Sequence, residues 1–140
     1  MENEIVPFDI AIKLKTEVTD FCVPCNHYYI DGELYTHESY GDFNLSASRC
    51  SAPTISQVLH WLRIKHRIFL SINISYCYET DKVPFYMNPK MKPIFNGYFY
   101  GIWKLDDLND DEGHSKYFTT YENAAIAGIR KIIEKISKQI

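Results

Sequence analysis

No apolar run in this chain of 140 residues approaches the roughly 20 that would span a bilayer. The N-terminal MENEIVPFDIAIKLK carries acids where a secretory signal wants basic residues, and it has no small-residue cleavage site. Together these absences predict a cytoplasmic protein without a membrane anchor. In that compartment the four cysteines, Cys22, Cys25, Cys50 and Cys77, are expected as reduced thiols rather than a disulfide framework. Walker and dinucleotide glycine loops are also missing, which removes the common phosphate cradles. Charge is never in large excess: the net value is −3 and the pI about 5.9. A surface that binds nucleic acid over its whole extent is thereby excluded, although a local basic patch is not.

What is present is the composition of an ordinary soluble globule, with 46% hydrophobic and 24% charged residues. The length is that of one domain, residues 1–140, with a substantial core. Aromatic residues make up 15%, eleven of them tyrosine, which points to a tyrosine-rich sheet surface.

The chain is organised around Ser51–Tyr78. Thr54 with Gln57 forms a capping box behind Pro53. Ile55, Val58, Leu59 and Leu62 then fall on one helical stripe, flanked by Trp61. Fully burying such side chains contributes roughly 1.5–3 kcal/mol each, far more than the tenths at stake in helix propensity. After Arg67 the period changes to two. Ile68, Leu70, Ile72, Ile74, Tyr76 and Tyr78 point one way, and Phe69, Ser71, Asn73, Ser75 and Cys77 the other. That alternation predicts an antiparallel strand with one buried and one wetter face, packed on the helix before it.

Elsewhere the pattern predicts a first helix from Pro7 to about Glu17 and a hairpin of Asn26–Ile30 and Glu33–Thr36 about Asp31-Gly32. Residues 37–52 read as a long loop, which invites a functional reading. Pro84, Pro89 and Pro93 argue against a strand between Val83 and Ile94. Asn96-Gly97 reads as a second hairpin turn into Tyr98–Leu105, the partner of Ile68–Tyr78. An acidic loop, Asp106–Gly113, and a short strand, Lys116–Phe118, lead to a last helix. Its start lies at Thr119 or Thr120, with Thr119 and Glu122 as a second capping box. Ala125, Ile129, Ile132, Ile133 and Ile136 form its buried face.

Few residues group into a chemical pattern. Cys22-Val-Pro-Cys25 has redox or zinc spacing. A redox pair, however, needs a thiolate at a helix start after a strand, and this pair follows a helix and precedes a strand. Zinc would need Cys50 and His27 to complete four ligands, because there is no second CxxC or HxxxH. A structural role is the plainer expectation. Asp107, Asn109, Asp111 and Gly113 imitate a calcium loop, yet the glycine falls one place late and Phe118 stands where the bidentate Glu belongs. The histidines are scattered, without a Cys/His or Ser/His/Asp arrangement. Arg63, Lys65, His66 and Arg67 cluster where the central helix meets its strand. With aromatics on a sheet face, such a cluster can hold single-stranded nucleic acid; the plainer reading is a solvated helix end that suits the dipole.

The blocks Phe8-Asp-Ile-Ala-Ile-Lys-Leu-Lys15, Asp20-Phe21 and Pro24-Cys25 resemble the opening of small uncharacterised proteins from phages, prophages and mobile elements of Bacteroides-like gut bacteria. Ala52-Pro-Thr54 with His60-Trp61-Leu62-Arg63 is similar to that family's central helix. Tyr121-Glu122, Ala124-Ala125 and Ala127-Gly128-Ile129 are similar to its closing helix. The resemblance implies an origin and a fold rather than an activity; Cys25 matches a family position and Cys22 departs from it. The expectation is therefore an α+β fold, with three helices packed on one face of an antiparallel sheet of about four or five strands. No catalytic centre, cofactor or metal is expected. The expected function is an accessory role exercised by binding another macromolecule, most simply a protein or a second copy of the chain. The alternative is a nucleic-acid contact through Arg63, Lys65 and Arg67.

Overall fold

The computed structural model describes residues 4–78 and 93–138. Its α+β architecture runs α1 (Phe8–Thr16), β1 (Cys25–Ile30), β2 (Glu33–Gly41), a 3-10 turn (Phe43–Leu45), β3 (Cys50–Ser51), α2 (Ile55–Lys65), β4 (Ile68–Tyr78), β5 (Pro93–Lys104), β6 (Asp107–His114) and α3 (Tyr121–Ser137). The strands form two three-stranded antiparallel sheets, ordered β2-β1-β3 and β4-β5-β6, in place of the single sheet expected. Each sheet gathers strands close in sequence, and α2 intervenes between β3 and β4. The sheets meet through side chains instead of a shared ladder: Tyr29 and Cys50 from one, and Ile68, Leu70 and Ile102 from the other, enter one apolar cluster with all three helices.

The central helix and strand form as their sequence dictates. Thr54 Oγ1 accepts from Gln57 N at 3.1 Å while Gln57 Oε1 accepts from Thr54 N at 2.9 Å, closing the capping box. Ile55, Val58, Trp61 and Leu62 are buried. The chain reverses at Arg67, whose φ of 57° is the left-handed conformation a sharp turn needs. β4 then pairs along its whole length with β5, Ile68 opposite Lys104 through Tyr78 opposite Pro93. At the other end of the chain, α3 buries Ala125, Ile129, Ile132, Ile133 and Ile136 as its periodicity predicts. Its Gly128 admits Leu70 and Tyr100, since a Cβ there would lie 2.6 Å from Leu70 Cδ1.

Several local expectations are corrected. Residues 37–52 are not a loop: β2 continues to Gly41, and the rest is fastened from within. Asp42 caps Asn44 N, Ser51 Oγ accepts from Phe43 N, and Lys15 Nζ donates to the carbonyls of Ser46 and Arg49 at 2.7 and 2.6 Å. That fastening gives the stretch a structural purpose. Asn96-Gly97 is not a turn either. Ser75 pairs with Gly97 and Tyr76 with Phe95, so Asn96 is the extra residue of a bulge within β5. Asp107–His114 is strand β6 rather than an acidic loop, turned back from β5 at Leu105-Asp106. Lys116–Phe118 reduces to a single bridge, Tyr98 with Phe118. The cap of α3 is Thr120 and not Thr119, its Oγ1 accepting from Asn123 N at 3.1 Å. The proline-rich stretch lies outside the described residues except for Pro93 and Ile94, which open β5. Proline is tolerated there because the first residue of a strand can forgo its N–H bond. No helix among the described residues is long and apolar enough to cross a membrane.

Candidate functional site

In a chain of 24% charged residues, neither Ile68–Tyr78 nor Pro93–Trp103 contains one. These two runs are partners in one ribbon, and its two faces differ. On the inner face Ile68, Leu70 and Ile102 are buried, and Ile72 and Tyr100 pack against the core. The apolar row outlasts the layer that covers it: Ile74, Tyr76 and Phe95 are 46, 56 and 49% exposed.

The outer face sets Phe69, Ser71, Asn73 and Ser75 of β4 opposite Trp103, Gly101, Phe99 and Gly97 of β5. Strand alternation turns these side chains away from α3, which packs on Leu70 and Tyr100. Trp103 Nε1 donates to Ser71 Oγ at 3.2 Å, and Asn73 Nδ2 donates to the same oxygen at 3.3 Å. Gly101 lets the indole lie down, because a Cβ at that position would stand 3.3 Å from Trp103 Nε1. Tyr117 joins this face, its ring 6.2 Å from that of Phe99 and half exposed. The result is a fixed array of aromatic rings interleaved with hydroxyl, amide and glycine surface. Protein-recognition surfaces favour this combination, since rigid rings supply contact area at low entropic cost and small polar groups supply adaptable hydrogen bonds.

Contiguous in sequence, the basic cluster divides in space. Arg63 lays its guanidinium 5.1 Å from the centre of the Phe69 ring, at the edge of the outer face. Arg67 Nε pairs with Asp106 Oδ1 at 3.3 Å. His66 Nε2 sits 3.1 Å from Asp20 Oδ2, off the line a hydrogen bond requires, and its ring is edge-on to Trp61. Lys65 lines a separate groove of about 410 Å³, walled by Val23, Pro24, Trp61 and Ile64, with Asp20 also lining it. That groove is an apolar cleft formed where the segment after α1 crosses α2, a juxtaposition no sequence spacing announces.

The two CxxC thiols are held apart in character. Cys22 is exposed and donates to Asp42 Oδ2 at 3.4 Å; that hydrogen bond holds the thiol proton and, secondarily, the carboxylate would repel a thiolate, so its pKa is raised. Cys25 is buried and donates to Val23 O at 3.1 Å; desolvation first, then Asp42, pushes it up to about 12. A redox or nucleophilic thiol needs the opposite shift. Cys50, whose pKa burial also raises, sits in the apolar cluster. Among the described residues, no three His, Cys, Asp or Glu side chains converge as a metal site would require.

The ribbon could have been recognised from the sequence by its two charge-free runs, a signal that periodicity alone passes over. Compared with known proteins, the chain matches no family model, no curated protein and no solved structure.

Proposed function

We propose that the protein is a non-enzymatic binding protein that engages another protein through the uncharged aromatic face of the β4–β5 ribbon. The observation that carries this reading is the pairing of two charge-free runs, Ile68–Tyr78 and Pro93–Trp103, whose outer row combines Phe69, Phe99 and Trp103 with Ser71, Asn73 and Gly101 and is joined by Tyr117. In this reading the three helices lie together on the packed side, leaving the opposite face to the partner. The further placement as an accessory protein of a phage or mobile element rests on the resemblance of the Phe8–Lys15 and His60–Arg63 blocks.

The test is affinity capture with wild type, Tyr117→Ala on the ribbon face and Lys131→Glu on the exposed side of α3. A protein held by wild type and Lys131→Glu but lost by Tyr117→Ala supports the reading. The same set of proteins on all three baits contradicts it.

A second reading, contact with single-stranded nucleic acid, is favoured by one observation: the Arg63 guanidinium adjoins Phe69, which stands opposite Trp103. Salt separates the two. Three neutralised phosphates, at Arg63, Lys65 and Arg67, would weaken binding about 20-fold between about 50 and 200 mM salt, from a single-strand slope of roughly 0.7 per phosphate. Binding by the uncharged face changes little over the same range.

A further inference from the structure

We propose that β4 is a self-association strand: two copies of this chain pair β4 with β4, antiparallel, about a two-fold axis near Asn73. β4 is the outermost strand of its sheet, so among the described residues its free row of N–H and C=O groups meets no other strand. Folded proteins blunt such edges with charge, proline, a bulge or short length. β4 has eleven residues, none of them charged or proline, and the extra residue of the ribbon's bulge belongs to β5. The edge at β2 is defended against a second copy. β2 carries Glu33 and Glu38, both exposed, so a twin laid on it brings carboxylates of like charge together.

The occupant follows from self-complementarity. A two-fold axis sets each residue against its symmetry partner, so groups near the axis must be able to bond with themselves. About Asn73, the strict alternation of β4 sets Ile72 opposite Ile74, Leu70 opposite Tyr76 and Ser71 opposite Ser75. Apolar side chains then meet apolar ones and hydroxyls meet hydroxyls, the pairs that stabilise adjacent strands. Asn73, exposed and offering both amide donors and a carbonyl acceptor, meets its own copy without penalty. The same pairing gives neighbours to Ile74 and Tyr76, which the isolated chain leaves 46 and 56% exposed.

The test is the solution mass of the full chain, measured across concentration with no partner present, so its outcome is separate from partner binding by the outer face. Wild type is expected as a dimer. Asn73→Glu and Asn73→Lys, each placing like charges across the axis, are expected to weaken dimerisation at least about tenfold while keeping the wild-type circular dichroism. Mixing the two variants restores a dimer. As a second measurement, Asn73→Cys in a Cys22→Ser, Cys77→Ser background is expected to form a covalent dimer on oxidation. A monomeric wild type overturns the proposal. So does a dimer that both charged variants leave intact together with an Asn73→Cys chain that fails to cross-link.

Discussion

At the scale of single residues, the fold holds several groups where their chemistry is constrained. Cys25 illustrates the sign. Its thiol is pushed up to about 12 from the ordinary 9.0, so between those values the unfolded chain loses a proton that the folded chain keeps. The folded state therefore binds more protons in that window, and stability falls as pH rises through it, by up to about 1.4 kcal/mol per pH unit. Urea unfolding of wild type and Cys25→Ala at several alkaline pH values is expected to show this extra slope in wild type alone. Gly97 is constrained by its backbone. With φ of 139° and a Cβ position 2.7 Å from Phe118 O, it admits no side chain without breaking the Tyr98–Phe118 bridge. Gly97→Ala is expected to lower stability by about 1–3 kcal/mol, read as a reduced denaturant midpoint at unchanged slope.

At the scale of elements, the helices and β4 were legible because each announces itself locally. The Thr54–Gln57 box, the Ile55/Val58/Leu62 stripe and the Ile68–Tyr76 alternation need no tertiary context to be read. Thr54→Ala is expected to cost about 1 kcal/mol of stability, because it leaves Gln57 N without its acceptor at the start of α2. Thermal unfolding of the variant checks this, and an unchanged midpoint would mean that the cap is replaced by solvent. The misread elements share one cause. Asn96-Gly97 carries a turn signature, but β4 extends opposite it and the ladder continues past it as a bulge. Asp107–His114 has a loop's composition, yet β5 supplies a partner strand and Leu105-Asp106 a tight reversal. Residues 37–52 look loose until Lys15 of α1 reaches their carbonyls. In each case a distant segment decides what the local sequence leaves open. The candidate site was half legible for the same reason. Its rings and small polar residues are visible in the alternation, but their common face depends on the β4–β5 register. The basic residues 63–67 showed the converse error: neighbours in sequence, they are carried to three different surroundings by the end of a helix and the Arg67 turn.

At the scale of the whole molecule, charge and shape divide the surface. Acidic and basic residues line the exposed side of α3, while the β4–β5 ribbon from Ile68 to Tyr78 and from Pro93 to Trp103 presents aromatic and small polar residues without a charge. One apolar cluster anchors that ribbon through Ile68, Leu70 and Ile102, so the face is presented by a rigid support. Its exposed inner end and its open edge leave three surfaces of one ribbon available for association. The measurement that bears most directly on this is backbone hydrogen exchange of the full chain, alone and with the protein it captures. Added protection is expected on Ile68–Tyr78, Pro93–Lys104 and the neighbouring Tyr117 alone, with α3 and β2 unchanged. Protection on β2 or the charged side of α3, with the ribbon exchanging as before, would contradict it.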